Sequence, residues 1–137
     1  MKVVFCTPTR KEPHPAYRAA LEASCPILDA AGIEHKATFK VGSPYISYAM
    51  ADMLHQAMVT DADAFVFIDD DESWRPADLL KLTETDGDVV AGTYRYKQDL
   101  EEYMGSWHVD GANRPILRSK DRAIRASMVP SGFLKVT

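Results

Sequence analysis

The sequence has few cysteines and no long hydrophobic run. Cys6 and Cys25 form no C-x-x-C pair, which excludes a disulfide framework and argues against a zinc or redox motif. No segment approaches the roughly 18 apolar residues of a membrane span, and the apolar start Lys2–Cys6 is too short for a signal peptide. We therefore expect a cytoplasmic protein without a transmembrane segment, either free or peripheral at the inner face of the membrane.

The chain also lacks an excess of positive charge. Its 16 lysines and arginines are outnumbered by 20 aspartates and glutamates, so the net charge is −4. Because a nucleic-acid polyanion requires a concentrated basic surface, nucleic acid is excluded as the main partner. The one basic-leaning stretch, Arg114–Arg125, is interpreted as a solvated hairpin or loop. A length of 137 residues with 46% hydrophobic residues indicates a single domain with its own core.

Short apolar runs predict the strands of this domain. These runs are Val3–Cys6, Ile33–Val41, Ala64–Ile68 and Asp88–Tyr94, then Tyr103–Val109, Ile116–Arg118, Ala123–Met128 and Phe133–Val136. Helices are predicted between the first four strands. The first begins at Pro15 and stops at Gly32, with Pro26 expected to end or kink it. The second has a buried stripe from Ile46 to Met58 and ends near Thr60–Asp61, and the third includes Leu79–Leu82.

Strands that alternate with helices imply right-handed crossovers and a mostly parallel sheet. The predicted fold class is therefore α/β, a three-layer α/β/α sandwich with a hairpin-rich carboxyl-terminal part. Ligands of such sheets bind beyond the carboxyl ends of the strands. Two polar segments follow strands, the loop Thr7–Arg10 and the triplet Asp69–Asp71, and we expect them to face one cleft.

The three consecutive aspartates are the most informative feature of the chain. They follow Ala64–Ile68, whose five apolar residues fit a strand buried on both faces. In an extended backbone Asp69 and Asp71 would project together, about 7 Å apart, with Asp70 opposed. A cation relieves the repulsion between them, and hard oxygen ligands suit Mg²⁺ or Mn²⁺. We predict a divalent metal held by Asp69 and Asp71, and a solvated acidic turn that caps the next helix is the alternative.

Several segments in order resemble glycosyltransferases of family 2, which have the GT-A fold of nucleotide-diphospho-sugar transferases. They are CTPTR, AFVFIDDDESWRP, DVVAGTYRYK and VPSGFLKV, and the resemblance covers essentially the whole chain. It implies that a sugar moves from a UDP- or GDP-linked donor to the hydroxyl of an unidentified glycan, lipid or protein, with Mn²⁺ or Mg²⁺ as cofactor. It divides the domain into nucleotide-sugar-binding βα units over 1–97 and acceptor-side strands over 98–137. A homo-oligomer formed through the latter part is a further expectation.

The resemblance also implies site residues. Those implied to bind the donor are Thr7, Pro8, Thr9, Arg10, Asp69 and Asp70, and those implied to hold the metal are Asp69 and Asp71. Gly132 and Phe133 resemble an acceptor-side GxGF element, written PSGF here. Trp107 is a further acceptor-side candidate, because an indole face packs well against the C–H surface of a sugar. The same role is open to Trp74, with packing in the core as its alternative.

The resemblance identifies no catalytic base. An inverting member of the family needs a carboxylate to deprotonate the acceptor, usually downstream of the GF element, and this chain ends at Thr137. Glu101, Glu102 and Asp110 are the nearby acids that can stand in. We therefore expect the sequence to be truncated at its carboxyl end, as the donor-binding part of a longer enzyme. A non-catalytic donor-binding domain is the alternative function.

A second alternative is a phosphatase of the haloacid-dehalogenase type. Asp69-x-Asp71-x-Ser73 fits its D-x-D-x-[TSV] signature, with Asp69 as nucleophile and Asp71 as acid and base. Those enzymes carry the motif on the first strand, however, and here two βα units precede it. A nucleotidyltransferase would need a glycine-rich loop after the first strand, and Cys6–Lys11 contains no glycine.

Overall fold

A computed structural model describes residues 1–96 and 98–137 of the chain. Strands and helices alternate in its first part, as the hydrophobic pattern predicts. The elements are β1 (Lys2–Thr9), α1 (Pro15–Ala30), β2 (Glu34–Val41), α2 (Ile46–Met58), β3 (Ala64–Ile68), α3 (Pro76–Glu84), β4 (Val89–Ala91), β5 (Ser106–Trp107), β6 (Ala126–Met128) and β7 (Phe133–Val136). Among these residues no helix is both long enough and apolar enough to cross a membrane.

The main sheet has five strands in the order β2-β1-β3-β7-β4. Strand β1 is parallel to both β2 and β3, whereas β7 is antiparallel to its neighbours β3 and β4. Strands β1 to β4 therefore run in one direction and β7 runs against them. The predicted α/β class and mostly parallel sheet are confirmed. The insertion of the last strand between β3 and β4 is not predictable from the local sequence pattern.

Alternating residues of the central strands form two hydrophobic clusters, one on each face of the sheet. Val3 and Phe5 of β1 belong to one cluster, with the buried Tyr17 of α1 and Leu79 of α3. Cys6 belongs to the other, with α2 residues that include Met53. Burying one large apolar side chain stabilises the fold by about 1.5–3 kcal/mol, so helices that cover the apolar residues on both faces of the sheet stabilise it. The ends of the strands are consequently where a ligand can approach the sheet.

Strand β1 is longer than predicted. Thr7, Pro8 and Thr9 belong to the strand and are buried, so the prediction of a polar loop at these positions is wrong, and Arg10 is the first exposed residue beyond them. The parallel pairing of β1 with β2 continues to the end, where Thr9 lies opposite Val41. Thr7 fits a buried position because its hydroxyl is hydrogen-bonded to the Tyr17 hydroxyl.

Helix α1 begins and ends close to the predicted positions. Pro15 is its first residue, His14 caps it through Nδ1, which accepts from the Ala16 N–H at 3.2 Å, and Gly32 follows its end with a φ of +69°. The helix continues to Ala30, so Pro26 does not end it. Pro26 is exposed, which leaves the unbonded carbonyl of the preceding turn accessible to water.

The predicted buried stripe of α2 is wrong at both ends. Ala49, Met53 and Ala57 are buried against the sheet, but Ile46 and Met58 are 58% and 67% exposed. The helix ends at Met58, slightly before the predicted end. The buried face is thus narrow and built partly of alanines, whose small side chains let the helix lie close to the strands.

Residues 98–129, here called the arm, contain less regular structure than predicted. The two-stranded sheet of β5 and β6 replaces the longer strands expected over Tyr103–Val109 and Ala123–Met128. Ile116–Arg118 is not a strand, although Leu117 forms an isolated bridge with Ile124. The alternating sequence pattern predicted strands that do not form, because most side chains of the arm are exposed. Without a buried face, side-chain packing does not stabilise regular strand pairing.

An ion pair in the arm leads to a prediction about pH. The Arg118 Nε donates to Asp121 Oδ1 at 2.9 Å, and the bonds from Arg118 and from the Ala123 N–H together lower the pKa of Asp121 to about 2. A folded pKa below the ordinary 3.8 means that the stabilisation is present above pH 4 and is lost as the pH falls towards 2. Carboxyl ¹³C NMR should give a titration midpoint near pH 2, and Arg118→Gln should raise that midpoint. An unchanged midpoint in the variant would contradict the role of this pair.

The buried Lys135 of β7 caps helix α3. Its ammonium donates to the carbonyl oxygens of Thr83, at 3.2 Å, and of Thr85. Burial lowers the pKa of Lys135 because it removes the charge from water, whereas the carbonyls at a helix C-terminus favour a cation. We expect Lys135→Met to lower the free energy of unfolding in urea by about 1–3 kcal/mol, since it leaves buried carbonyls unpaired. Lys36→Met, at an exposed position of β2, should change little; equal losses would refute the capping role.

Candidate functional site

The candidate site lies where the chain order changes across the sheet. From β1 the chain continues to β2 on one side, and then returns to β3 on the other side of β1. In an open α/β sheet the crevice beyond the carboxyl ends of two such strands is where ligands bind. The segment after β1 meets the segment after β3 here, because the His14 N–H donates to the Asp70 carbonyl at 2.8 Å. This contact is made by His14, beyond Thr7–Arg10, so the expectation that Thr7–Arg10 and the aspartates face one cleft stays a prediction.

The aspartates form a turn, not an extended segment. Asp69 continues the sheet, since its N–H donates to the Gly132 carbonyl at 2.9 Å. The Glu72 N–H then donates to the Asp69 carbonyl at 3.1 Å, so Asp70 and Asp71 occupy the middle of a tight turn. The expectation that Asp69 and Asp71 project together from an extended backbone is therefore wrong. Aspartates are favoured in turns, and here strand pairing ends with Asp69.

Gly132 brings three segments together beside this turn. The Tyr94 hydroxyl, beyond the end of β4, accepts from the Gly132 N–H at 3.2 Å. A Cβ at Gly132 would lie 2.5 Å from that hydroxyl and even closer to the Asp69 carboxylate. Both oxygens thus pack against the bare Cα of Gly132, and residues from β3, β4 and β7 converge at one point. A larger residue at this position would require the Asp69 carboxylate and the Tyr94 hydroxyl to move away.

Tyr94 was expected from the sequence as a contact to the sugar or the phosphates, on the grounds that it follows a predicted strand. Burial raises its pKa; the hydrogen bond with Gly132 opposes this, while Asp69, Glu72 and Asp71 raise the pKa further. The phenol therefore faces the carboxylates of the aspartate turn. Its position soon after β4 was the available signal, because β4 ends at the same edge of the sheet as β3.

A group of buried aromatic and hydroxyl side chains supports the turn from below. The Trp74 ring packs edge-on against Tyr17 at 5.1 Å and lies tilted by 33° to Phe133 at 5.6 Å. Its Nε1 donates to Ser24 Oγ at 3.0 Å. Trp74 is thus a packing residue that ties the turn to α1, and not an exposed surface for a sugar. Burial raises the pKa of Tyr17, and the nearby Cys6 and Asp70 raise it further. The hydrogen bond with Thr7 lowers this pKa.

The remaining candidate residues differ in their exposure and in their distance from the aspartate turn. Thr7 and Pro8 are buried in β1, whereas Arg10 is exposed at the carboxyl edge. Thr9 is 6% exposed, and within residues 1–96 and 98–137 its hydroxyl has no hydrogen-bond partner. Gly132 touches the aspartate turn, but Phe133 is buried in the core. Trp107 lies in β5 of the arm, where its ring contacts Gly105.

The acids considered as catalytic bases all lie in the arm and are engaged there. Glu101 accepts from the Tyr103 hydroxyl at 3.1 Å, and Glu102 from the Gln98 amide at 2.8 Å. Asp110 accepts from the Arg114 backbone and guanidinium, each at 3.0 Å, and these bonds hold the pKa of the Asp110 carboxyl below its usual value. Their bonds to neighbouring residues stabilise local turns of the arm.

The carboxylate oxygens of the aspartate turn are of the type that hard cations such as Mg²⁺ prefer as ligands. Among the residues that the structure describes, no group of three or more histidine, cysteine, aspartate or glutamate side chains is arranged to hold a metal. A protein-only cage is therefore not formed by them. Mg²⁺ commonly binds to one or two carboxylates and completes its shell with substrate phosphates and water. Of the two arrangements, only this second one, in which the substrate supplies ligands, is compatible with the described residues.

Comparisons with protein-family models, with curated proteins and with solved structures found no match to this chain. Its function must therefore be argued from the arrangement of its own residues. That arrangement is a carboxylate turn at the switch point of an α/β sheet, bordered by Tyr94, Gly132 and His14.

Proposed function

We propose that this protein is a GT-A-type glycosyltransferase domain that binds a nucleoside-diphosphate sugar together with Mn²⁺ or Mg²⁺. The observation that carries the proposal is the turn Asp69–Asp71 at the switch point between β1 and β3, where α/β sheets bind nucleotides. A sheet of mostly parallel strands with helices on both faces agrees with a three-layer α/β/α sandwich. An antiparallel strand beside the aspartates brings Gly132 to the site, as the GxGF resemblance implies.

A dication accounts for the presence of acidic groups at a phosphate-binding edge. Carboxylates alone repel a diphosphate, so Asp69 and Asp71 can hold one only through a bridging cation, whose remaining ligands are diphosphate oxygens and water. When bound, such an ion stabilises the negative charge that develops on the departing diphosphate, an effect worth several kcal/mol. Asp69 is well suited to its role because Gly132 and the strand pairing fix its position.

The end of β1 supplies the other part of the proposed donor site. Arg10 is exposed beyond the strand, and its planar guanidinium can donate two parallel hydrogen bonds to a phosphate. The Thr9 hydroxyl at the same strand end is buried and is not accessible to a ligand in this structure. Thr7 and Pro8 are buried within β1 and set the position of its carboxyl end.

Calorimetry with a panel of UDP- and GDP-linked sugars tests the proposal. Each ligand is titrated into the protein with Mn²⁺ and again after addition of EDTA. We expect binding in Mn²⁺ that is lost in EDTA. Binding that is indifferent to the chelator, or no binding of any member of the panel, would refute a metal-bridged donor site.

Donor binding without transfer is the second candidate function. The observation that favours it is the engagement of Glu101, Glu102 and Asp110 in bonds within the arm, which leaves these acids occupied as proton acceptors. Slow transfer of the sugar to water distinguishes the candidates, because an active transferase releases free sugar and nucleoside diphosphate over hours. A donor that binds but remains intact would assign this chain a binding role.

A further inference from the structure

The arm, residues 98–129, lies entirely in the described part of the chain, and none of its side chains is buried. Its backbone is nevertheless bonded into a definite arrangement, since the Ile116 N–H donates to the His108 carbonyl and the Arg125 N–H to the Ile116 carbonyl, each at 3.0 Å. Large apolar side chains of the arm remain exposed, namely Leu100, Tyr103, Trp107, Val109, Ile116, Leu117, Ile124, Met128 and Val129. Because exposed apolar groups gathered in one segment mark interaction sites, we expect another molecule to cover the arm.

The two ends of the arm lie at opposite ends of strand β4. Residues 98–102, here called the acidic end, lie beyond the carboxyl end of β4, where the Tyr96 N–H donates to the Glu102 carbonyl at 2.9 Å. Residues 118–125, here called the basic end, return to the amino end of β4. There the Lys120 Nζ lies 3.7 Å from Oδ2 of Asp86, which precedes β4, and the Arg118 guanidinium donates to the Asp86 carbonyl.

Each end of the arm carries exposed charges of one sign that have no ion-pair partner among the described residues. At the acidic end these are Asp99, Glu101 and Glu102, and the latter two accept hydrogen bonds from neutral donors. At the basic end they are Arg122 and Arg125. Both ends can therefore attract an opposite charge from another molecule.

We propose that the arm is the interface of a symmetric dimer, in which the arm of a second copy of this chain lies antiparallel to it. A two-fold axis places the same surface of both copies in contact, so the acidic end of each copy meets the basic end of the other. A second copy is the partner that the charges favour, because a partner of one charge sign would be repelled at one of the two ends. The exposed apolar side chains between the ends form the centre of the interface.

The arm is large enough for this role. A stable interface takes about 800 Å² of surface from each partner, or about 20–30 residues, and residues 98–129 can supply them. The interface does not include the aspartate turn, so the inference is independent of the proposed function, and its failure would leave the donor site untouched.

Sedimentation equilibrium of the full chain tests the oligomeric state. We expect a species of twice the 15.3 kDa chain mass, which dissociates on dilution and forms no larger assembly as the concentration rises. Arg122→Glu with Arg125→Glu places acidic side chains at both ends, and Glu101→Arg with Glu102→Arg places basic side chains at both ends. Each double variant alone should weaken the dimer about tenfold or more, because like charges then meet at both contacts.

The decisive measurement mixes these two double variants. One offers acidic ends and the other basic ends, so an equimolar mixture should form a heterodimer with about the affinity of the unchanged chain, and this recovery also shows that both variants are folded. Leu100→Ser with Ile124→Ser removes apolar side chains that are 74% and 45% exposed, and it should weaken the dimer as well. The matched control is Lys11→Glu with Lys36→Glu, which reverses two exposed charges outside the arm and should leave the dimer unchanged.

Several results would overturn the inference. A chain that remains monomeric at every concentration would point to a different partner for the arm. A dimer that both charge variants leave intact, or a loss of the dimer that mixing folded variants does not restore, would refute the pairing of the ends. If circular dichroism shows that a charge variant does not fold, the serine variant decides, and a dimer that it leaves unchanged would refute the arm as the interface. Assemblies that grow beyond a dimer would contradict a closed two-fold contact.

Discussion

Asp71→Ala should abolish the Mn²⁺-dependent part of nucleotide binding while leaving the fold intact. Asp71 is exposed in the middle of the aspartate turn, so its removal costs no buried contact of the core. Because a cation at this edge has few protein ligands, the loss of one carboxylate should leave too little to hold it against water. Calorimetry of UDP and GDP with Mn²⁺ and with EDTA measures the effect, and the two titrations should become indistinguishable.

The matched control for this variant is Asp88→Ala. Asp88 is also an exposed aspartate, but it precedes β4 and so lies at the opposite edge of the sheet. Both variants remove one negative charge, so a general electrostatic effect would appear in both. If Asp71→Ala instead lowers the melting temperature strongly, the turn acts as a structural cap of the following helix, and the metal hypothesis loses its support.

Gly132→Val should be the most damaging single change to the fold near the site. Its side chain would overlap both the Asp69 carboxylate and the Tyr94 hydroxyl, so both side chains must shift to make room at this buried position. Overpacking of this kind typically costs about 1–3 kcal/mol of unfolding free energy, which urea denaturation measures. Nucleotide binding in Mn²⁺ should fall as well, since Asp69 must move to make room.

Two further variants test whether this close contact is the cause. Gly111→Val changes a glycine in the arm with nothing within 4 Å of its Cβ position, and it should be nearly neutral. Combining Gly132→Ala with Tyr94→Phe removes one of the two clashing oxygens, so this pair should be less destabilised than the sum of its single variants. Strict additivity would show that Gly132 is required for another reason.

The local sequence pattern was sufficient to predict a strand where the apolar residues of the pattern are also the buried ones. The strands Ala64–Ile68 and Phe133–Val136 were predicted at their observed bounds because continuous apolar residues end at charged or polar neighbours. Thr7–Thr9 was misassigned because polarity was taken to mean exposure. The hydroxyl of Tyr17, ten residues away in the chain, satisfies Thr7, and such a partner is visible only in three dimensions.

The candidate site was predictable in its chemistry but only partly in its geometry. Asp69 and Gly132 were singled out separately, and the structure joins them through the pairing of β3 with β7. Tyr94 was named from the sequence only as a contact to sugar or phosphates, because its hydrogen bond to Gly132, far along the chain, cannot be inferred from its neighbours in sequence. The spacing of the carboxylates was wrong because the backbone turns where an extended strand was assumed.

The placement of β7 between β3 and β4 also has a kinetic consequence. Strand β4 touches the main sheet only through β7, so it cannot dock until the distant end of the described chain has returned. Contacts between segments so far apart in sequence slow folding, because the intervening chain must be closed first. Until then the apolar strand β3 presents an open edge, a template for pairing between molecules. Refolding yield should therefore fall as protein concentration rises.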